Sequence, residues 1–595
     1  MLKVVKRDGS IEDFNVQKVV NAVQKAFASV GCELPEYLST MIPALFEEGD
    51  VIGVEDIQDR VEQLLMNDKH FKAAKSYILY REKHKQARFI RERIDYMSNY
   101  ADSDDNAASS SETDPNANVT QKNVANLDGE VYKVENRIIQ RQRMKDELSV
   151  LYPEVAKQYE VDVENHIIYP HDEASVPTLK FYCQADTLYP LMTEGVGNID
   201  GITPSAPNDL QSFSGQITNL IFLLSSQCKG AVAIGEYFIA LNYYIVQEFG
   251  TNWYEKLDVV TTTEHCSKQR TIRDAIYKAF KQFIYGVNQP AGNRSYQSPF
   301  TNVSYYDHTY FDSLFGEFYY PDGTKPQWEA VDCLQRLFMK FFNKLRTKQI
   351  LTFPVETMAM VYDPKTNDII DKDYKDFTAE MYAEGHSFFT YISDSADSLA
   401  SCCRLRNELA ENTFNPTSGL TGVMTGSCNV ITLNISRIVQ NWYNMMDSHN
   451  EGWNKQRARE SYPDLIDYIR EEGGILDRVY KYHIAYKTML YEQEEKGMFA
   501  ACNGGYIHMN KLYSTIGING LNEAARFLGL KVSNNPEYIK FLQLILGTIK
   551  EENKKHSIHD SKRPFLFNSE VVPAESLGGK NYRWDKEDGL EPMSI

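Results

Sequence analysis

No two cysteines in this chain stand in Cys-x-x-Cys spacing, the arrangement by which short loops grip zinc. The nine cysteines are scattered and odd in number, which argues against a disulfide framework and for reduced thiols in a reducing compartment. Long apolar runs are missing as well. With nothing approaching the roughly 20 residues a bilayer requires, no membrane helix is expected, and no charged-then-apolar leader opens the chain. Positive charge is outweighed, 63 Lys and Arg against 82 Asp and Glu, for a formal net charge of −19. That balance excludes a general grip on a nucleic-acid polymer, which needs a basic face. It leaves room for free nucleotides, held by local cations and helix N-termini. These absences predict a cytoplasmic protein.

What is present is globular. The 595 residues are 42% hydrophobic and 24% charged, with 38 Tyr and 29 Phe to fill a large core, and they exceed one ordinary domain. The sharpest break is SNYADSDDNAASSSETDPNANVTQKN, 98–123, too poor in apolar anchors to offset its ordering entropy. It divides the chain into a first domain, 1–93, a flexible linker, 94–123, and a body, 124–595.

In the first domain Val4, Val5 and Lys6 read as a strand, Asp8-Gly9 as a hairpin turn and Ile11 to Phe14 as the returning strand. Val16, Val19, Val20, Val23 and Phe27 recur at helical spacing behind Asn15 as a cap. VEDIQDRVEQLLM and FKAAKSYILYREKHKQARFI predict two more helices. Lys6, Arg7 and Lys18 gather cations, which on most surfaces are only solvated charge. The series VVKRDGSIEDFNVQKV, VEDIQDRVEQLL and AKSYILYREKH closely resembles the ATP-cone, a regulatory domain at the N-terminus of many ribonucleotide reductases. The resemblance implies ATP as activator and dATP as inhibitor, taken with Mg, at positions that here are Val4, Lys6, Arg7, Glu12, Asn15 and Lys18.

Within the body, His171-Asp172 in IIYPHD reads first as a capping or loop pair, and LKFYC as a short buried strand ending in Cys183. LQSFSGQITNLIFLLSSQCKGAVAIGEYFIALNYYIV has the periodicity of buried helix, and RTKQILTFPVETMAMVY of a core strand. GVNQPAGNRSYQSPFTNVSYYD crowds Gly, Asn, Gln, Ser and Pro between apolar elements, a loop suited to sugar hydroxyls or phosphates, or simply a long connection. Thr515 to Gly520 reads as a Gly-rich loop opening a helix near Leu521, able to host an anion or merely to allow close packing.

The order of these segments, NQP…YQSPFTN, SCCRL, the GSCNVITLNISRI run, STIGINGL and FNSEVVPAESLG…RWDKEDG, strongly resembles the anaerobic (class III) ribonucleotide reductase large subunit. The likeness covers about 124 to 589. It implies a ten-stranded α/β barrel of the glycyl-radical type, preceded here by a small, mostly helical ATP-cone with an N-terminal β-hairpin. It also implies reduction of ribonucleoside triphosphates through a thiyl radical. Cys403, with Cys402 as the alternative, matches the radical-carrying finger loop, and Cys183 the reducing cysteine on the facing strand. Asn302, Ser427, Asn429, Gly517 and Asn519 are the substrate-loop candidates. Ser427 stands near the place where formate-using members keep an asparagine, with Asn429 two residues on, leaving formate or a thiol redox protein open as reductant. Cys428 lies in the same GSCN loop, while Cys32, Cys228, Cys266, Cys333 and Cys502 read as structural.

The family's zinc cluster and its Arg-Val-x-Gly-Tyr radical loop have no counterpart in the sequence, and Gly578-Gly579 lacks the flanking residues of that loop. The expectation is therefore the larger part of a split enzyme, with the glycyl radical supplied in trans on a C-terminal fragment. A radical-SAM activase, dNTP effectors and a homodimer or larger assembly complete the implied partners. Two alternatives stand beside it: a truncated, inactive nucleotide-binding regulator of a complete reductase, or another glycyl-radical enzyme related to pyruvate formate-lyase.

Overall fold

The computed structural model describes residues 2–5, 11–46, 51–102, 124–196, 204–261, 270–290, 297–396, 398–401, 405–408, 424–560, 562–572 and 577–592. The chain divides into two compact units, Met1–Asp104 and Asp105–Ile595.

In the first unit β1 (Lys3–Val5) pairs antiparallel with β2 (Ile11–Asp13), as expected for the hairpin; its turn lies outside the described residues. Helix α1 (Val16–Ser29) starts behind Asn15, whose side chain accepts from the Gln17 N–H at 3.0 Å. Its periodic residues Val19, Val23 and Phe27 are buried. Helix α2 (Glu36–Ala44) and β3 (Val51–Gly53) had no signal in the sequence; β3 pairs parallel to β1 and completes a three-stranded sheet. Helix α3 (Val54–Asn67) is held to α4 (Phe71–Asp102) through Arg81, which bonds Glu55, Asp59 at 2.7 Å and Glu62 at 2.8 Å. Helix α4 continues to Asp102, so residues 94–102, placed in the linker by composition, are its last turns.

The second unit contains a ten-stranded mixed sheet. Its members are β4 (Ile168–Pro170), β5 (Cys183–Ala185), β6 (Val232–Ala233), β9 (Thr301–Tyr306), β10 (Val355–Asp363), β11 (Asp368–Ile369), β12 (Phe389–Ser393), β15 (Thr425–Asn434), β16 (Leu512–Asn519) and β17 (Leu566–Val571). Two small hairpins lie outside it, β7 (Val260–Thr261) with β8 (Arg270–Thr271), and β13 (Ser398–Ser401) with β14 (Leu405–Glu408). The strand order is β11-β10-β9-β6-β5-β15-β16-β17, with β12 beside β10 and β4 beside β15. Strands β12, β10, β9, β6 and β5 are mutually parallel, and so are β15, β16 and β17. The two sets meet antiparallel where β5 pairs with β15. Parallel strands of this kind need both faces covered.

The helices that bear on the sheet are α5 (Lys133–Leu151), α6 (Leu210–Gln227), α7 (Tyr237–Phe249), α8 (Ile272–Val287), α9 (Ile435–His449), α10 (Ile475–Glu495), α11 (Leu521–Phe527) and α12 (Leu577–Glu587). The run 210–246, expected as buried helix, is two helices. Between them Val232 and Ala233 enter the sheet as β6, paired with β5 on one side and β9 on the other. No helix among the described residues is long and apolar enough to cross a membrane.

Candidate functional site

Cys183 begins β5 rather than ending a strand, and is 1% exposed. With Ala231 it forms a small cluster apart from the main apolar core, bordered by Tyr182 and Phe300. The thiol therefore occupies the sheet face turned away from that core. The Ala231 N–H donates to its Sγ at 3.3 Å. Gly230 approaches so closely that a Cβ there would lie 2.6 Å from the same sulfur.

Across the antiparallel join, Cys183 pairs with Ser427 and Gln184 with Gly426. Ser427 and Asn429, expected in a loop, lie inside β15, with a register shift against β16 between them. Such a bulge places an extra residue on one strand and re-aims its neighbours. The Ser427 Oγ meets the Asn429 carbonyl at 3.0 Å and the Thr515 hydroxyl at 2.8 Å, and Thr515 reaches Asn568 Oδ1 at 2.9 Å. Asn429 is buried. Cys428, the extra residue, turns into the main core and meets Ser514 Oγ at 3.2 Å; burial pushes its thiol above the ordinary range.

Asn302 sits in β9, not in the preceding loop, opposite Ala233 of β6. Its Nδ2 donates to the Val355 carbonyl at 3.0 Å, while its Oδ1 is buried without a hydrogen bond. That leaves one acceptor on the same sheet as Cys183. Gly517 and Asn519 correct another expectation: Thr515 to Asn519 is strand β16, not loop. A Cβ on Gly517 would lie 2.1 Å from Thr432 Oγ1, so this glycine serves close strand packing. The helix beyond it, α11, has seven residues and begins behind Gly520. Gly517 pairs with Thr432, four positions beyond Tyr513, the partner of Ser427, or on the order of 13 Å along the strand.

At that far end stands a histidine that the sequence offered as half of a capping or loop pair. His171 Nε2 bonds the Thr432 hydroxyl at 2.7 Å, and its backbone N–H donates to the Val430 carbonyl. Burial and the nearby Lys580 charge lower the imidazole to about 4, so it is neutral at pH 7. Tyr169 and Tyr182 pack edge-on to it. Lys580 of α12 lies 3.2 Å from the Tyr169 hydroxyl, and Asn581 bonds Asn519 at 3.2 Å. His171 thus bonds across strands rather than capping a loop. Only the motif IIYPHD hinted at it; nothing local signals a partner so distant in sequence.

Cys402 and Cys403 lie outside the described residues, as do Cys266, Lys6 and Arg7. The strands that bracket the cysteine pair are described: β13 runs beside β10, and β14 beside β15 and β17. In the first unit Val4 of β1 pairs with Glu12 of β2, and in the first turn of α1 the Lys18 N–H bonds the Asn15 carbonyl. The Asn15 side chain is already engaged as the helix cap. Cys32 is exposed; Cys228 is buried and Cys333 and Cys502 partly buried. Among the described residues no group of three or more His, Cys, Asp or Glu could hold a metal ion.

Comparisons with known proteins show the family and the fold. The family model "Anaerobic ribonucleoside-triphosphate reductase" matches residues 123–590, and "ATP cone domain" residues 2–86. The crystal structure of the anaerobic ribonucleotide reductase from Thermotoga maritima with citrate in the active site superposes with a TM-score of 0.62. The match has 24% identity and covers 78% of this chain and 77% of that one. The same enzyme in complex with dATP and CTP gives 0.62 at 24% identity, covering 80% and 72%. Among curated proteins, the vitamin B12-dependent ribonucleoside-diphosphate reductase of Thermoplasma acidophilum is 40% identical over 103 residues. The alpha subunit of the ribonucleoside-diphosphate reductase of Chlamydia trachomatis is 36% identical over 106. These matches take in 16% and 15% of this chain but only 13% and 10% of those relatives, so the chain spans a small part of their length. With its mixed α/β body matched almost from end to end, the chain belongs to the anaerobic ribonucleoside-triphosphate reductase family and carries an ATP cone domain ahead of the reductase region.

Proposed function

We propose that the chain reduces ribonucleoside triphosphates to deoxyribonucleoside triphosphates by thiyl-radical chemistry, under control of ATP and dATP at the first unit. The observation that carries this reading is Cys183, a buried thiol on the sheet face away from the core, held by the Ala231 N–H and paired with Ser427. The radical carrier is Cys403, or Cys402, between β13 and β14. That thiyl takes the 3′ hydrogen atom of the ribose. The 2′ hydroxyl leaves as water, with Cys183 serving the reduction half of the cycle. The hydrogen atom then returns to C3′ and regenerates the thiyl. Two electrons must enter per turnover: formate would leave as carbon dioxide, whereas a thiol redox protein would leave as its disulfide. Ser427, Thr515 and Asn302 offer the hydroxyl and amide groups that hold a sugar, and Lys580 with Tyr169 a cation and donor for its phosphates. In the first unit Val4, Glu12, Asn15 and Lys18, with Lys6 and Arg7, take the effector nucleotide with its Mg.

The test is anaerobic. The chain is mixed with a radical-SAM activase, S-adenosylmethionine, a reductant and CTP, alone and with an added C-terminal glycyl-radical fragment. Deoxynucleotide formed in either mixture, and lost on Cys403→Ser or Cys402→Ser, supports the reading; the arm that yields product says which polypeptide carries the glycyl radical. Absence of product in both, with ATP and dATP still bound, would replace it with a nucleotide-binding regulator.

A further inference from the structure

Helix α10 buries a lysine beneath the strands that hold the site. Lys487 is 0% exposed, and its ammonium donates to the Leu512 carbonyl at 2.6 Å. Its hydrogen bond goes to a backbone carbonyl rather than to a carboxylate. A buried cation is costly unless hydrogen bonds satisfy it, and here the Leu512 carbonyl does so. Burial lowers Lys487 to about 8; the groups that face it are Cys428 of β15 and Glu494 farther along α10. Its ammonium also lies 5.4 Å from the Tyr491 ring centre and 6.0 Å from that of Phe565.

The place it binds matters. Leu512 opens β16 and pairs with Gly426; the next pair is Ser427 with Tyr513, and then comes the bulge at Cys428. Gly426 is pressed against β5, since a Cβ there would lie 2.3 Å from the Cys183 carbonyl. One line of contacts therefore runs from Lys487 through Leu512 and Gly426 to the backbone of Cys183. A bulge interrupts the ladder and leaves backbone groups to be fixed by other means. Here the ammonium fixes Leu512 on one side, and Cys428 is pinned to Ser514 on the other.

We propose that Lys487 is a positioning residue that, from the helical layer, fixes the β15–β16 register at the bulge and so holds Ser427 opposite Cys183. It rests on the reading of Cys183 as the reducing thiol, but its main readout does not.

The experiment uses the full chain and the alkylation rate of Cys183, followed by mass spectrometry, with Cys333 as reference thiol. In Lys487→Met, which keeps the volume and removes the amine, Cys183 should alkylate about tenfold faster with Cys333 unchanged and the melting temperature nearly so. Lys487→Ala should behave alike and recover slow alkylation when propylamine is added. Lys487→Gln, which keeps a donor for the Leu512 carbonyl, should alkylate more slowly than Lys487→Met. In the activated enzyme the Met variant should lose about 10- to 100-fold in kcat with KM little changed. Wild-type alkylation rates in both Met and Ala variants, or an Ala defect that propylamine does not relieve, overturns the proposal. An activated wild type without turnover would defeat the reductase reading while leaving the alkylation result standing.

Discussion

Cys183 and Ser427 face each other as a register pair across the antiparallel join between the two parallel strand sets, β5 against β15. The thiol takes an N–H from Ala231, so a hydroxyl of similar shape fits the same place. Cys183→Ser should therefore fold and bind nucleotide normally while deoxynucleotide formation falls by about 10³-fold or more. Calorimetric binding alongside a turnover assay checks both halves. Turnover near the wild-type level would remove Cys183 from the chemistry.

Gly230 packs closely against the same sulfur. A methyl group there would meet Cys183 Sγ at 2.6 Å and the Tyr182 carbonyl at 2.8 Å, and backbone cannot yield as a flexible side chain would. Gly230→Ala should cost about 1–3 kcal/mol by overpacking. Urea unfolding gives the stability. The displaced thiol should slow turnover by more than the lost folded fraction explains.

His171 is held neutral, lowered from 6.5 to about 4 by burial and then by Lys580. A depressed value in the fold means stability is lost as pH falls from about 6.5 towards 4, because the unfolded chain takes up the proton first. His171→Gln keeps a hydrogen-bonding side chain without that titration. Its stability relative to wild type should rise by about 2–3 kcal/mol between pH 7 and pH 4, read from unfolding midpoints.

Glu236 works in the opposite sense. Burial raises it from 4.5 to about 7, against hydrogen bonds from the Leu188 N–H at 2.7 Å and the Thr187 hydroxyl at 3.0 Å. A raised value means its contribution is complete below about 4.5 and is lost as pH climbs through 7. Glu236→Gln should gain on wild type by about 2–3 kcal/mol from pH 4.5 to pH 8. Because the two windows overlap, the wild type hides both slopes and each single variant exposes one. Parallel curves for Glu236→Gln and wild type would show the carboxyl to be ionised in the fold.

Legibility tracked the range of the forces. The hairpin, the Asn15 cap and the stripe Val19, Val23, Phe27 were readable because strand pairing across a turn and helical periodicity act between near neighbours. The split of 210–246 was not readable. Its middle is as apolar as its ends, and only pairing with β5 and β9 makes Val232 and Ala233 a strand. Thr515 to Asn519 looked like a loop because its glycine suggested one, whereas Gly517 is required by Thr432 on the neighbouring strand. His171 looked like a loop residue because its partner, Thr432, lies far along the chain.

By itself the sequence determined the cysteine spacing, the acidic balance, the division into a small first domain and a large body, and an order of motifs specific enough to point to one family. Those properties depend on residue type and local spacing, which a linear text preserves. Only the tertiary structure decided that Cys183 meets Ser427, that a bulge turns Cys428 into the core, and that Lys487 lies buried beneath them. Each joins residues from separate strands and helices, and the register between them is set by the packing of the whole sheet rather than by any segment's own preference.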